Sequence, residues 1–212
     1  MKYRSVLIFL LVATFLILTV FVAKQVTRPF DYMVTELIQK IASKPLDYAM
    51  YVFTLFGSIE FSSFALLIVC WYFYRKYDWP GIFLYLFFFM ALSGVEFVWK
   101  YVVTYTGPGP EFDRNPVHWG MVAMNAPYSF PSGHTFRSIY LLGMWYQRLD
   151  HKFLPPKRRV WLHQLVIFLL VFGVGISRIY LGDHWLSGVM GGCLLAAIGL
   201  LFVSQSPHYE SR

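Results

Sequence analysis

The sequence predicts an all-α membrane protein: a six-transmembrane-helix bundle with one extra amphipathic helix at the interface. Three observations predict it. Of 212 residues, 58% are hydrophobic and 14% are charged, against about 25% charged in a soluble domain. The apolar residues gather into runs that approach or exceed the ~20 residues a helix needs to cross a bilayer. The charges collect in the short segments between those runs, which is the pattern of membrane topology. Residues 1–212 read as a single domain, with no linker, repeat or low-complexity tract.

The six runs are Ser5–Val22, Leu46–Tyr74, Pro80–Val103, Ser132–Trp145, Val160–Ile176 and Trp185–Val203. The first follows Lys2 and Arg4, as a signal peptide would. A signal core spans only ~7–15 residues and ends in a small-residue cleavage site. This run is longer and Phe21-Val22-Ala23 is a poor site, so it is read as a retained first helix. The second run contains Gly57, Ser58 and Glu60, which predict a bend or break. The fourth is short, and its boundary can extend to Arg148. Between the first two runs, Arg28–Ser43 carries Phe30, Met33, Val34, Leu37, Ile38 and Ile41 at helical spacing, with Asp31, Thr35, Glu36, Gln39 and Lys40 between them. Pro29 suits a first turn. This is the amphipathic helix expected at the outer interface, as a lid packed on the bundle or a guide for lipid.

Basic loop residues orient the bundle. Lys2 and Arg4 mark one side. Arg75 and Lys76 mark it again after two crossings, and Arg148, Lys152, Lys157, Arg158 and Arg159 after four. A multi-pass cell-membrane protein with cytoplasmic N- and C-termini follows. The segments Lys100–Pro131 and Ser177–His184 then share the extracytoplasmic face. The net charge of +7 is accounted for by these loops, so nucleic acid is not a predicted partner. Cys70 and Cys193 both sit in apolar runs and read as small core residues. The aromatic residues, 20% of the chain, suit interfacial belts and bundle packing.

Two segments on the outer face carry chemistry. Pro131-Ser132-Gly133-His134 opens the fourth helix. Ser132 is a good N-cap, Gly133 permits close approach of a ligand, and the first-turn amides make an anion site. Ser177-Arg178-Ile179-Tyr180-Leu181-Gly182-Asp183-His184 precedes the sixth helix. Arg178 can clamp a phosphate bidentately. Lys100, at the outer end of the third helix, can add a point charge, held by Glu96 one turn below. Phosphate-ester hydrolysis needs cations and N–H groups on the phosphoryl oxygens, a nucleophile and an acid, and histidine serves as either of the last two near neutral pH. Alone, Lys100 can be a snorkelling lysine, Arg178 a structural partner of Asp183, and Arg137 an interface anchor. His118 and His151 read as ordinary loop residues. Glu60, inside an apolar run, is a functional candidate by default.

These residues resemble the signature of the type 2 phosphatidic acid phosphatase (PAP2) family: Lys-x6-Arg-Pro, then Pro-Ser-Gly-His, then Ser-Arg-x5-His-x3-Asp. The resemblance covers the six-helix layout. It implies a membrane lipid phosphatase in which His184 is the nucleophile, forming a phosphohistidine, and His134 the general acid. Lys100, Ser132, Gly133 and Arg178 would cradle the phosphate. The implied partners are a lipid phosphate or diphosphate substrate and membrane lipids; no metal or other cofactor is implied.

Two positions depart from that signature. The first motif runs from Lys100 to Gly107-Pro108, with glycine where the family has arginine, and sliding to Gly109-Pro110 does not restore it. Four residues after His184, where the family has aspartate, stands Gly188. Losing an orienting carboxylate of that kind costs on the order of 10⁴ in rate. Arg137, three residues after His134 on the same helical face, is the expected replacement cation, with Arg114 a weaker one. Asp183 reads as an N-cap, because adjacent residues on a helix do not face each other. Glu111 and Asp113 can fold over the site, and the residues do not single out a carboxylate for His184. Two further readings stay open: a phosphotransferase on the same scaffold, and a catalytically impaired lipid-phosphate-binding or transport protein.

Overall fold

The computed structural model describes residues 2–76, 79–117, 128–148 and 157–204, and within them it is all helical apart from a single β-bridge. The helices are α1 (Lys2–Ala23), α2 (Arg28–Gln39), α3 (Lys44–Leu55), α4 (Ile59–Lys76), α5 (Trp79–Val103), α6 (Gly133–Arg148), α7 (Lys157–Tyr180) and α8 (Leu186–Ser204), with a 3₁₀ turn at Pro110–Phe112. His118, His151 and Lys152 lie outside the described residues.

Four helices contain segments long and apolar enough to cross a membrane: Tyr3–Ala23, Ile82–Val103, Trp161–Tyr180 and Leu186–Ser204. The second apolar run is broken as Gly57-Ser58 suggested. It forms α3 and α4, bent by 45°, which together make a further candidate span. The fourth run becomes α6, which has 16 residues and does reach Arg148. At that length it falls short of the ~20 residues of a straight crossing.

α6 occupies the centre, packed against α4, α5, α7 and α8, while α1 lies along α8 and α3 along α7. Aromatic side chains fill the interior. Phe15 of α1 stacks on Phe130 with ring centroids 5.9 Å apart. Tyr140 is fully buried and donates to the Tyr85 carbonyl at 3.0 Å. The Tyr85 hydroxyl in turn donates to Gln147 Oε1 at 2.7 Å. A buried phenol must find such an acceptor, because an unpaired polar group costs about 1–3 kcal/mol. Arg4 donates to the Ser204 carbonyl at 3.0 Å, which sets the start of α1 beside the end of α8.

α2 packs on α7 and α8 with an unusual polarity. Its buried residues are Asp31 and Thr35, whereas Phe30, Met33, Leu37 and Ile41 are exposed. The periodicity read from the sequence is real, but Asp31 and Thr35 meet the protein while Phe30, Met33 and Leu37 point away from it, and Glu36 and Lys40 are exposed as well. Asp31 is the anchor. Its carboxylate accepts the Ser187 amide at 2.8 Å, the Ser187 hydroxyl at 2.7 Å and the Tyr105 hydroxyl at 3.0 Å. A carboxylate at the first turn of α8 satisfies donors that have no intrahelical acceptor. At the other end of α2, Gln39 donates to the carbonyls of Phe112 and Tyr180 at 2.8 and 2.9 Å.

Candidate active site

The candidate residues converge at the end of the bundle opposite the Arg4–Ser204 contact, where α6 and α8 begin and α5 and α7 end. Ser132, fully buried, caps α6: its hydroxyl accepts the Thr135 amide at 3.4 Å and the Thr135 hydroxyl at 3.1 Å. The amides of Gly133 and His134 belong to the first turn and have no intrahelical acceptor. A Cβ on Gly133 would come 2.7 Å from both Arg137 Nη1 and Glu96 Oε1, so a side chain there would push those two side-chain ends aside.

His184 is delivered by a tight loop after α7. The amides of Asp183 and His184 both donate to the Arg178 carbonyl at 3.0 Å. Gly182 turns the chain at φ +77°, and a Cβ there would lie 2.2 Å from the Phe112 carbonyl. Only glycine takes this backbone without strain. Trp185, fully buried, locks the loop by donating to the Thr106 carbonyl at 2.8 Å.

The His184 ring is buried, and its Nδ1 lies 2.8 Å from the Ser129 carbonyl and 3.0 Å from the Ser129 hydroxyl. A carbonyl can only accept, so Nδ1 carries the proton and Nε2 presents its lone pair. Burial first, then the Arg178 and Lys100 cations, hold the imidazole pKa well below its ordinary range, with the Ser129 carbonyl acting in the opposite direction. The ring is therefore neutral at pH 7, the form a nucleophile requires.

Three cations surround the histidines. Lys100 Nζ meets Glu96 Oε1 at 2.7 Å. Arg137 donates from Nε to the Gly57 carbonyl at 3.1 Å and lies 3.8 Å from Glu96. Arg178 Nη1 pairs with Asp183 at 2.8 Å and also donates to the Thr54 hydroxyl. Its Nε is buried and has no hydrogen-bond partner among the described residues, which leaves a donor for a ligand. His134 and His184 are each within electrostatic reach of all three cations and of one another. Glu60 is exposed at the start of α4, within electrostatic reach of Arg137.

Other candidates fall elsewhere. Asp183 is not the cap of α8: it holds Arg178 and accepts from Asn115 at 3.0 Å, and Asp31 serves the first turn instead. Arg114 makes a bidentate pair with Asp47 at 3.0 and 3.1 Å. Asp113 accepts from Asn115, and the Glu111 carboxyl folds back over Gly109. Among the described residues, no carboxylate meets His184.

Sequence reasoning missed Thr54, Gly57 as a contact, Ser129 and Asp31. Only Gly57 carried a usable signal, as a glycine in an apolar run. A Cβ on Gly57 would meet the His134 carbonyl oxygen at 2.7 Å and the His134 Cβ at 2.9 Å. The break between α3 and α4 therefore lies against the first turn of α6. Gly57→Ala is expected to displace that turn and lower activity, since a catalytic group moved by 1 Å costs about 10²-fold. Gly94→Ala is the control, because nothing lies within 4 Å of a Cβ there. Phosphate-release rates of the two variants check this, and equal rates would refute it.

Two histidines and three cations thus gather at one end of a helical bundle, and sequence comparison gives the family of the chain. The PAP2 superfamily profile matches residues 81–212, and the chain belongs to that superfamily. It resembles the crystal structure of a transmembrane PAP2-type phosphatidylglycerolphosphate phosphatase from Bacillus subtilis. The TM-score is 0.76 at 25% identity, over 95% of this chain and 94% of that one. Aquifex aeolicus LpxE shares the fold, with a TM-score of 0.62 at 18% identity over 82% of this chain and 94% of that one. No curated protein matched the chain by sequence.

Proposed function

We propose that this protein is a membrane phosphatase that hydrolyses lipid phosphates or diphosphates through a phosphohistidine at an extracytoplasmic site. The observation that carries the reading is the His184 ring with its Nδ1 on the Ser129 carbonyl, within electrostatic reach of Arg178 and Lys100. His184 Nε2 attacks phosphorus while the bond from phosphorus to the lipid oxygen breaks, and His134 gives that oxygen its proton. His134 then takes a proton from water, which attacks the phosphohistidine; the P–N bond breaks and inorganic phosphate leaves. Lys100, Arg178, Arg137, Ser132 and the amides of Gly133 and His134 hold the phosphoryl oxygens.

The whole chain acts as one domain with six crossings, α3–α4 counting as one bent span and α6 as a short one. Paired helix ends at Arg4 and Ser204, together with the basic loops, support cytoplasmic termini. α2 rests at the outer interface, its exposed Phe30, Met33, Leu37 and Ile41 meeting lipid. The neighbour from Bacillus subtilis makes phosphatidylglycerol phosphate the first substrate to try.

Gly107 and Gly188, in place of the family's arginine and aspartate, favour one competing reading, a lipid-phosphate-binding protein without turnover. Purified protein in detergent is offered phosphatidylglycerol phosphate, phosphatidic acid and a polyprenyl diphosphate, and released phosphate is measured. Release is expected from at least one substrate. Binding without release would establish the competing reading, and release only in the presence of a hydroxyl acceptor, with a new phosphodiester or phosphorylated product, would identify a transferase.

A further inference from the structure

We infer that the backbone carbonyl of Ser129 positions the His184 ring, in the place where the family uses a carboxylate, and that Gly188 is the residue that makes room for it. The inference rests on the phosphohistidine reading for its rate effects, but its geometry stands apart. A Cβ on Gly188 would lie 2.5 Å from the Ser129 carbonyl oxygen and 3.6 Å from His184 Nδ1. The Ser129 oxygen thus lies where any side chain at 188 would have to start.

The carbonyl is held on every side. The Ser129 amide donates to the Tyr105 carbonyl at 2.7 Å, and the Ser132 amide donates to the Gly188 carbonyl at 2.9 Å. The Trp185 amide donates to the Ser129 hydroxyl at 3.4 Å. A rigid acceptor fixes the imidazole tautomer and its orientation as a carboxylate would, without a charge. The second departure faces the same residue. A Cβ on Gly107 would sit 3.6 Å from Ser129 Cβ and 3.7 Å from the Asp183 carbonyl, which is ordinary contact. A Cβ is therefore accommodated at 107, whereas one at 188 is not without moving Ser129. Putting the family's aspartate back at position 188 damages the site instead of repairing it.

Two measurements test this. The first needs no variant: ¹⁵N spectra of histidine-labelled protein in detergent, with the His184 signal assigned by its loss in His184→Ala. The proton is expected on Nδ1; a proton on Nε2 would overturn the proposal. The second compares Gly188→Ala and Gly188→Asp with the unaltered protein on phosphatidylglycerol phosphate. Each is expected to lose roughly 10²-fold in kcat with KM little changed. A donor at Nδ1 bonds more strongly to the carbonyl when the ring is cationic, so the carbonyl raises the imidazole pKa. Displacing it lowers that pKa further, and the acid limb of kcat/KM moves to lower pH. A rise in kcat for Gly188→Asp, or an unchanged kcat and acid limb for Gly188→Ala, sinks the idea. If the position-188 variants do not fold, the tautomer alone decides. If the unaltered protein shows no turnover that depends on His184, the proposed function fails while the tautomer still decides this inference.

Discussion

His184→Ala is expected to remove turnover on every substrate, a loss on the order of 10⁶-fold, as for the deletion of other covalent nucleophiles. Among the described residues only His134 shares its chemistry, and the proposed mechanism commits that ring to the leaving oxygen. Arg178 and Lys100 are cations, and the Ser129 hydroxyl lies at the Nδ1 edge of the ring, away from Nε2. His134→Ala is expected to behave differently. A general acid contributes about 10²–10⁴-fold, and only where the leaving oxygen needs a proton. An alkyl lipid phosphate has such an oxygen; p-nitrophenyl phosphate leaves as a stable anion. His134→Ala should therefore be far more impaired on the lipid than on the aryl ester, whereas His184→Ala is dead on both. Rates of the two variants on the two substrates give the answer. Equal losses for His134→Ala would remove it from the acid role, and residual turnover by His184→Ala would end the phosphohistidine mechanism.

The contrast between these histidines and their supports bears on what a sequence can disclose. The apolar runs that became α1, α5, α7 and α8 were legible because crossing a bilayer imposes a local composition. Gly57-Ser58 was legible as a break for the same reason, since an apolar run has little cause to hold a glycine and a serine together. Arg137 was placed beside His134 by helical geometry alone, and the structure puts it 3.8 Å from Glu96 at the same site.

The orienting group of His184 was not legible, and the cause is physical. A carboxylate would stand out in a sequence, but the acceptor is a main-chain carbonyl, which every residue carries and no sequence marks. Gly188 looked like a loss when read by itself. Beside the Ser129 oxygen, which would lie only 2.5 Å from a Cβ, it becomes a spatial requirement. Asp183 shows the converse. Its adjacency to His184 invited a cap, yet the carboxylate turns to Arg178 and Asn115, because a buried guanidinium needs a counter-charge and Asp31 already serves the first turn of α8.

Asp31→Ala is expected to produce the largest loss of stability of any single change outside the core. In the sequence Asp31 is one polar residue in an amphipathic repeat; in the fold it reaches Ser187, 156 positions away. Three donors depend on its carboxylate, and the residue is 1% exposed, so no water replaces it. Removing it strands the Ser187 amide, the Ser187 hydroxyl and the buried Tyr105 hydroxyl. At about 1–3 kcal/mol for each buried polar group left unpaired, the loss is on the order of 4 kcal/mol. Asp31→Asn keeps one carbonyl oxygen and can still serve the Ser187 amide, so it should lose roughly half as much. Thermal unfolding in detergent, followed beside the unaltered protein, ranks the three. The consequence for catalysis is indirect but definite, since Ser187 begins one turn after His184 and Gly188 follows it. Loosening α2 from α8 frees the turn that follows His184 and carries the Gly188 carbonyl to which the Ser132 amide donates. Asp31→Ala should then lose activity at temperatures where Asp31→Asn still works. Equal stability of Asp31→Ala and the unaltered protein would mean that α2 is held by its other contacts, such as those of Gln39, with no contribution from its buried carboxylate.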